Sequence, residues 1–181
     1  MHRRHFTGIL LALPWLAQAQ SDALGARLRA GACVVLMRHA HTDPGIGDPP
    51  GFRLEKCSTQ RKLSSEGRAH AERIGEWFTS RGLEPGAVKS SAWCRCKDTA
   101  DLAFGRHKVW PALNSFFVES RTRNTQTAQL RAVLKRIPAG TFEIWVTHQV
   151  NITALTGEGM EMGEALVLDV TGIVLTRSNF S

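Results

Sequence analysis

The chain has 181 residues, 43% of them hydrophobic and 22% charged. That balance excludes a disordered or fibrous protein, and the length suits one domain with its own core. Lys and Arg number 23 against 16 Asp and Glu, a formal charge of +7, which favours anionic partners without choosing among phosphate esters, nucleic acid and anionic lipid.

The chain opens on a basic stretch, Met1-His2-Arg3-Arg4-His5-Phe6. An apolar run follows over residues 8–16 (GILLALPWL), and Ala17-Gln18-Ala19 then supplies small residues at the two positions a signal peptidase reads. The pattern predicts a signal peptide over residues 1–19, a single domain over residues 20–181 and a periplasmic or secreted location. Arg3-Arg4-His5-Phe6 fits the twin-arginine route as well as the general one. The apolar run is far shorter than the roughly 20 residues needed to span a bilayer. Without the leader the charge is still +5, on 162 residues. In an oxidising compartment Cys57 can bridge to Cys94 or to Cys96, and the sequence leaves both pairings open. Cys33, in the apolar run Cys33-Val34-Val35-Leu36-Met37, reads as a buried thiol.

Residues 31–37 form a short, continuously apolar strand of the kind buried on both faces of a parallel sheet. Residues 41–62 are a long loop rich in Pro and Gly, too long for a simple connector and so expected to be functional. Ser64-Ser65-Glu66-Gly67 starts a helix whose apolar positions include Ala69, Ile74, Trp77 and Phe78 and which ends at Arg81-Gly82. Residues 88–91 are a strand, residues 99–104 belong to a second helix, and residues 108–110 are a brief extended piece. A helix over 125–137 carries Leu130, Val133, Leu134 and Ile137 on one stripe and stops before Pro138. Residues 142–147 are a strand, a helix follows over 149–155 to Gly157, and residues 165–170 and 172–176 make a hairpin turning at Thr171-Gly172. Strands alternating with helices predict an α/β class, a layered α/β/α sandwich around a mostly parallel central sheet.

Two histidines stand immediately after predicted strands: Arg38-His39 after the first, and His148 after residues 142–147. In open α/β sheets ligands bind at the carboxyl ends of strands, where these two can converge. Arg95, four residues after Ser91, lies at a strand-to-helix junction on the same side. Guanidinium forks match phosphate oxygens, and the helix after His148 adds free N–H groups to the same spot. Arg95 also has local carboxylates, Asp98 and Asp101, with which it can pair on its own helix.

Four blocks in this order resemble the histidine phosphatase (phosphoglycerate-mutase-like) superfamily. Leu36-Met37-Arg38-His39-Ala40-His41-Thr42 is similar to its signature strand end, with Ala40 where many members carry Gly. Lys62-Leu63-Ser64-Ser65-Glu66-Gly67-Arg68-Ala69 resembles its helix start. Ser90-Ser91-Ala92-Trp93-Cys94-Arg95-Cys96-Lys97-Asp98-Thr99-Ala100 resembles its second arginine segment, and Val146-Thr147-His148 followed by Gly157 resembles its second-histidine block. Together they cover most of residues 33–157. The leader, Trp93-Cys94-Arg95-Cys96 and Thr147-His148-Gln149-Val150-Asn151 look closest to a small exported group that includes lipopolysaccharide core heptose phosphate phosphatases.

The resemblance implies a phosphoglycerate-mutase-like fold and a metal-independent phosphomonoester hydrolase without cofactor. His39 would attack phosphorus and carry the phosphoryl group, while Arg38, Arg95 and His148 hold its oxygens. Nearby arginines would keep His39 neutral. A carboxylic acid must protonate the leaving group; Glu119 lies where relatives place theirs, and Asp43 and Asp48 in the long loop are alternatives. His41, Thr42 and Arg61 are candidate substrate contacts. The implied partner is a small phosphorylated substrate, a lipopolysaccharide-derived sugar phosphate among the options. Scattered basic residues without a basic helix argue against nucleic acid. The histidine and cysteine spacings argue against a metal site. The rival reading is a silent anion-binding module built on the same pocket.

Overall fold

The computed structural model describes residues 23–180, so the expected leader over residues 1–19 lies outside the described residues. A helix over residues 23–30 (α1) leads into β1 (Cys33–Arg38), followed by α2 (Ser65–Thr79), β2 (Ala87–Ser90), α3 (Cys94–Phe104) and β3 (Lys108–Val109). After these come α4 (Arg123–Leu134), β4 (Phe142–Thr147), α5 (Gln149–Thr156), β5 (Ala165–Asp169) and β6 (Val174–Ser178). No helix among the described residues is long and apolar enough to cross a membrane.

The six strands form one sheet in the order β3-β2-β4-β1-β5-β6. Pairings β3·β2, β2·β4 and β4·β1 are parallel, while β5 runs antiparallel to both β1 and β6. The sheet is covered on both faces, and β1 shows why its sequence is apolar throughout. Val35 and Met37 pack with Leu28 of α1, Ile74 and Phe78 of α2 and Ala100 of α3. Val34 and Leu36 point the other way, against Leu130 and Leu134 of α4 and Ile152 of α5. Alternate residues of a strand face opposite sides, so a strand buried on both needs apolar residues at every position. The α/β/α sandwich expected from the sequence is the fold observed.

Two boundaries differ from the sequence reading in ways that matter for the site. Helix α3 starts at Cys94, five residues before the predicted stretch, which puts Arg95 in its first turn. The loop over residues 41–62 also has structure of its own. A bridge pairs Thr42 with Leu63, and Cys57–Thr59 form a 3-10 turn.

At the start of α2, the Ser64 hydroxyl caps the helix by accepting from the Gly67 N–H at 3.0 Å, the usual task of a serine there. Gly67 lies directly under the chain that leaves β1; a β-carbon on it would stand 1.9 Å from the His41 carbonyl oxygen. Only glycine lets the helix approach this closely. The hairpin turn is tied by the Asp169 carboxylate, which accepts from the N–H groups of Thr171 and Ile173.

Candidate active site

Strand register brings the two histidines together. In the β1·β4 ladder Arg38 is opposite Thr147, and the His39 N–H donates to the Thr147 carbonyl at 3.1 Å, so the next residue of each strand, His39 and His148, emerges side by side. Their rings meet edge-on, 5.5 Å between centroids. On the other side of β4, the Ser91 N–H donates to the Val146 carbonyl, which sets Ser91 and the start of α3 against the same edge.

His39 is buried, and its Nδ1 lies 2.9 Å from the Ala40 carbonyl oxygen. A carbonyl can only accept, so the ring proton sits on Nδ1 and the lone pair on Nε2. Arg95 Nε donates to that Nε2 at 3.3 Å. Burial, then the positive charge of Arg95, with Arg38 and Arg61 adding to it, pushes the imidazole pKa down to about 3. The ring is a neutral nucleophile whose unprotonated Nε2 lies among cations and accepts from Arg95. The Ala40 N–H is itself fixed by Thr99 Oγ1 at 3.0 Å, and that hydroxyl donates to the Arg95 carbonyl at 2.7 Å.

His148 has both ring nitrogens engaged. Nδ1 accepts from Arg95 Nη2 at 3.5 Å, which leaves the proton on Nε2, 2.8 Å from Ser91 Oγ. Burial first, then His39 and Arg95, hold its pKa well below the usual histidine range. Ser91 Oγ in turn faces Asn114 Oδ1 at 3.4 Å. Cys96 Sγ also lies 3.4 Å from His148 Nε2, but burial pushes its thiol up to about 12, so it remains protonated.

Arg95 is the hub of the site. Its Nε meets His39, its Nη2 meets His148, and its Nη1 donates to Asp48 Oδ1 at 2.8 Å. Neither Asp98 nor Asp101, the local partners its own helix offers, takes the guanidinium; Asp101 pairs with His107 instead. Arg38 donates through Nη1 to the Met160 carbonyl at 2.5 Å. The Nε groups of Arg38 and Arg61 are buried donors without an acceptor among the described residues. Both arginines line the cavity with His39, Arg95 and His148, and buried donors of this kind suit an anion's oxygens.

The cavity measures about 720 Å³. Its cationic end is formed by the residues just named, and the N-terminus of α5 at Gln149 and Val150 borders it. The long loop forms much of the rest and is pinned across the start of α3. Cys57 is disulfide-bonded to Cys94, Gln60 Oε1 accepts from the Cys94 N–H, and Trp93 Nε1 donates to Asp48 Oδ2 at 2.9 Å. Of the two pairings the sequence left open, Cys94 takes the bridge. Two residues further along the helix, Cys96 points inward and stays free and buried, as does Cys33.

The expected site residues divide in their placement. Arg38, His39, Arg95 and His148 converge, and Arg61 joins them on the cavity wall. His41 and Thr42 are not on that wall. The His41 ring stands 6.0 Å from His70, and buried Thr42 turns its hydroxyl to Met162 Sδ, so substrate contact by these two is not what the geometry offers. Glu119 borders the cavity, but its side chain is 60% exposed and its partner is Arg121, 2.6 Å away. The acid role expected of it therefore lacks any tie to the phosphate end. The alternative, Asp48, is at that end, with only 5% of its side chain exposed and three donors on it: Arg95, Trp93 and the Arg61 N–H. Sequence reading missed Asp48 as the partner of Arg95 and Ser91 as the partner of His148. Ser91 sits inside a quoted block and carried a signal; Asp48 was named only as an alternative acid, and nothing among its prolines and glycines pointed to Arg95.

The sequence profile of the histidine phosphatase superfamily, branch 1, matches residues 34–162. No curated protein matches the chain. Among solved structures, SixA of Agrobacterium tumefaciens is similar at 20% identity, covering 81% of this chain and 97% of its own, with a TM-score of 0.55. The protein histidine phosphatase SixA complexed with tungstate matches at 16% identity over 80% and 95%, TM-score 0.54. TTHB049 of Thermus thermophilus matches at 20% over 80% and 98%, TM-score 0.53. At these identities the likeness is one of fold.

Proposed function

This chain belongs to the histidine phosphatase superfamily, and from that premise we propose that it hydrolyses phosphomonoesters through a phosphohistidine on His39. One observation carries the reading: His39 Nδ1–H is spent on the Ala40 carbonyl, so Nε2 presents its lone pair inside a cation-lined cavity. Nε2 attacks phosphorus, the N–P bond forms and the P–O ester bond breaks. Arg38 and Arg95 hold the equatorial oxygens as charge builds on them, and His148, whose Nδ1 accepts from Arg95, orients that guanidinium. Water then attacks the phosphohistidine and releases phosphate.

The leaving oxygen needs a proton, and we assign it to Asp48 rather than Glu119. Asp48 is the carboxyl group that lies at the phosphate end of the cavity, on Arg95 itself, whereas Glu119 lies at the rim on Arg121. Asp48 gives this proton to the leaving oxygen and recovers one from the attacking water. We further propose that the substrate is met outside the cytoplasm, as the basic, apolar and small-residue order of residues 1–19 suggests. We propose a phosphorylated sugar of the cell envelope as the substrate, following the resemblance of Trp93-Cys94-Arg95-Cys96 and Thr147-His148-Gln149-Val150-Asn151 to the exported group.

Intact-mass and acid-labile phosphate trapping with an aryl phosphate tests the reading. A transient adduct of one phosphoryl group with turnover, absent in His39→Ala, is expected. Phosphate binding without adduct or turnover would instead make this an anion-binding module.

A further inference from the structure

Six large apolar side chains stand exposed among the described residues, and three of them, Ile46, Phe117 and Val118, border the cavity that holds His39. Ile46 is 93% exposed and Val118 88%. Single exposed apolar residues are ordinary, but a cluster at one mouth marks a ligand groove. The three come from two separate loops, one after β1 and one after β3, so the cluster is not a single apolar stretch of chain.

The lining of the same cavity is also apolar in part. Phe52 and Trp93 lie ring against ring at 6.1 Å, and Met162 stands on the same cavity. Phe52 and Trp93 belong to the segments that the Cys57–Cys94 bridge joins, so this wall is held in place independently of any ligand.

Resting on the reading of the deep end as a phosphate site, we propose that the leaving group carries hydrocarbon, which runs along Phe52 and Trp93 and meets Ile46, Phe117 and Val118 at the mouth. The substrate is then an amphiphilic phosphomonoester, its phosphate deep and its apolar part outermost. A sugar phosphate satisfies this only where the sugar bears hydrocarbon, since hydroxyls alone give Ile46, Phe117 and Val118 no apolar partner. Hydrocarbon covers them, and each methylene so buried adds to affinity.

The test is calorimetric and uses non-hydrolysable probes, n-alkylphosphonates from methyl to octyl, on the wild-type protein and on a Phe117→Ser/Val118→Ser double variant. Both substitutions fall on exposed positions and leave the core intact. Affinity is expected to rise by about two- to fourfold per methylene in the wild type and by a clearly smaller factor in the variant, with methylphosphonate bound equally by both. Affinity that is flat with chain length, or a gain that survives unchanged in the variant, overturns the proposal. Because the probes are not turned over, a normal chain-length gain in a protein that forms no phosphohistidine would sink the catalytic reading and leave this one standing.

Discussion

Asp48 Oδ1 accepts a hydrogen bond from Arg95 Nη1 at 2.8 Å across 47 residues of sequence, and each side chain is only 5% exposed. Breaking a buried pair strands the remaining charge, so the loop carrying Asp48 and the arginine that holds phosphate depend on one another. The same guanidinium meets His39 and His148 with its other nitrogens, which makes its orientation a condition for the whole site.

Asp48→Asn is expected to lower kcat/KM by about 10²–10³-fold on alkyl phosphates, the scale of a lost transition-state donor. On nitrophenyl phosphates, whose leaving groups need little protonation, the loss should be much smaller. Equal losses on both would reduce Asp48 to a positioning residue for Arg95. Glu119→Gln is expected to change either rate by less than about twofold, since a solvated ion pair contributes little. A steep loss on alkyl phosphates in that variant would return the acid role to Glu119.

Neutral His39 has a cost at low pH. Its native pKa of about 3 lies below the ordinary value of 6.5, so between those values the unfolded chain binds a proton that the native protein does not. Stability is therefore complete above pH 6.5 and is lost as pH falls toward 3, by up to about 1.4 kcal/mol per pH unit from this residue. Denaturant unfolding between pH 4 and 7 should show a shallower loss in His39→Ala than in the wild type. Parallel curves would show that His39 protonates readily in the fold.

The Cys57–Cys94 bridge closes a loop of 37 residues, worth about 4 kcal/mol in the chain-entropy account. Cys57→Ser is expected to melt lower than the wild type and to be insensitive to reductant, whereas the wild type should fall to the variant's level when reduced. Activity should drop with it, because the freed loop carries Asp48. Full activity in the variant would show that Asp48, Gln60 and Trp93 hold the loop unaided.

Gly67→Ala would push a β-carbon into the His41 carbonyl oxygen and is expected to destabilise the protein by about 1–3 kcal/mol, the range for overpacking. Thermal unfolding measures this. Because the strain falls on the chain leaving His39, kcat should decline as well, which a purely distant packing defect would not cause.

The strands, the helices other than α1, the two-sided burial of β1, the cap at Ser64 and the four residues Arg38, His39, Arg95 and His148 were legible in the sequence. Each depends on local signals: apolar runs, strand ends and short spacings that physical rules read directly. Arg61 and Asp48 were named from the long loop as candidates, but the path of that loop was not legible. Asp48 finds Arg95 only because the loop folds back over α3 and is stapled at Cys94, and nothing in Gly47-Asp48-Pro49-Pro50 encodes that return. Glu119 was the acid the sequence favoured, yet its loop delivers it to the rim and to Arg121. The bridge itself was undecided between Cys94 and Cys96 until α3 turned one to the loop and the other into the core. Local chemistry thus set which strand ends carry the reacting groups. Only tertiary packing decided which carboxylate, cysteine and apolar side chains surround them, because those contacts join segments far apart in the chain.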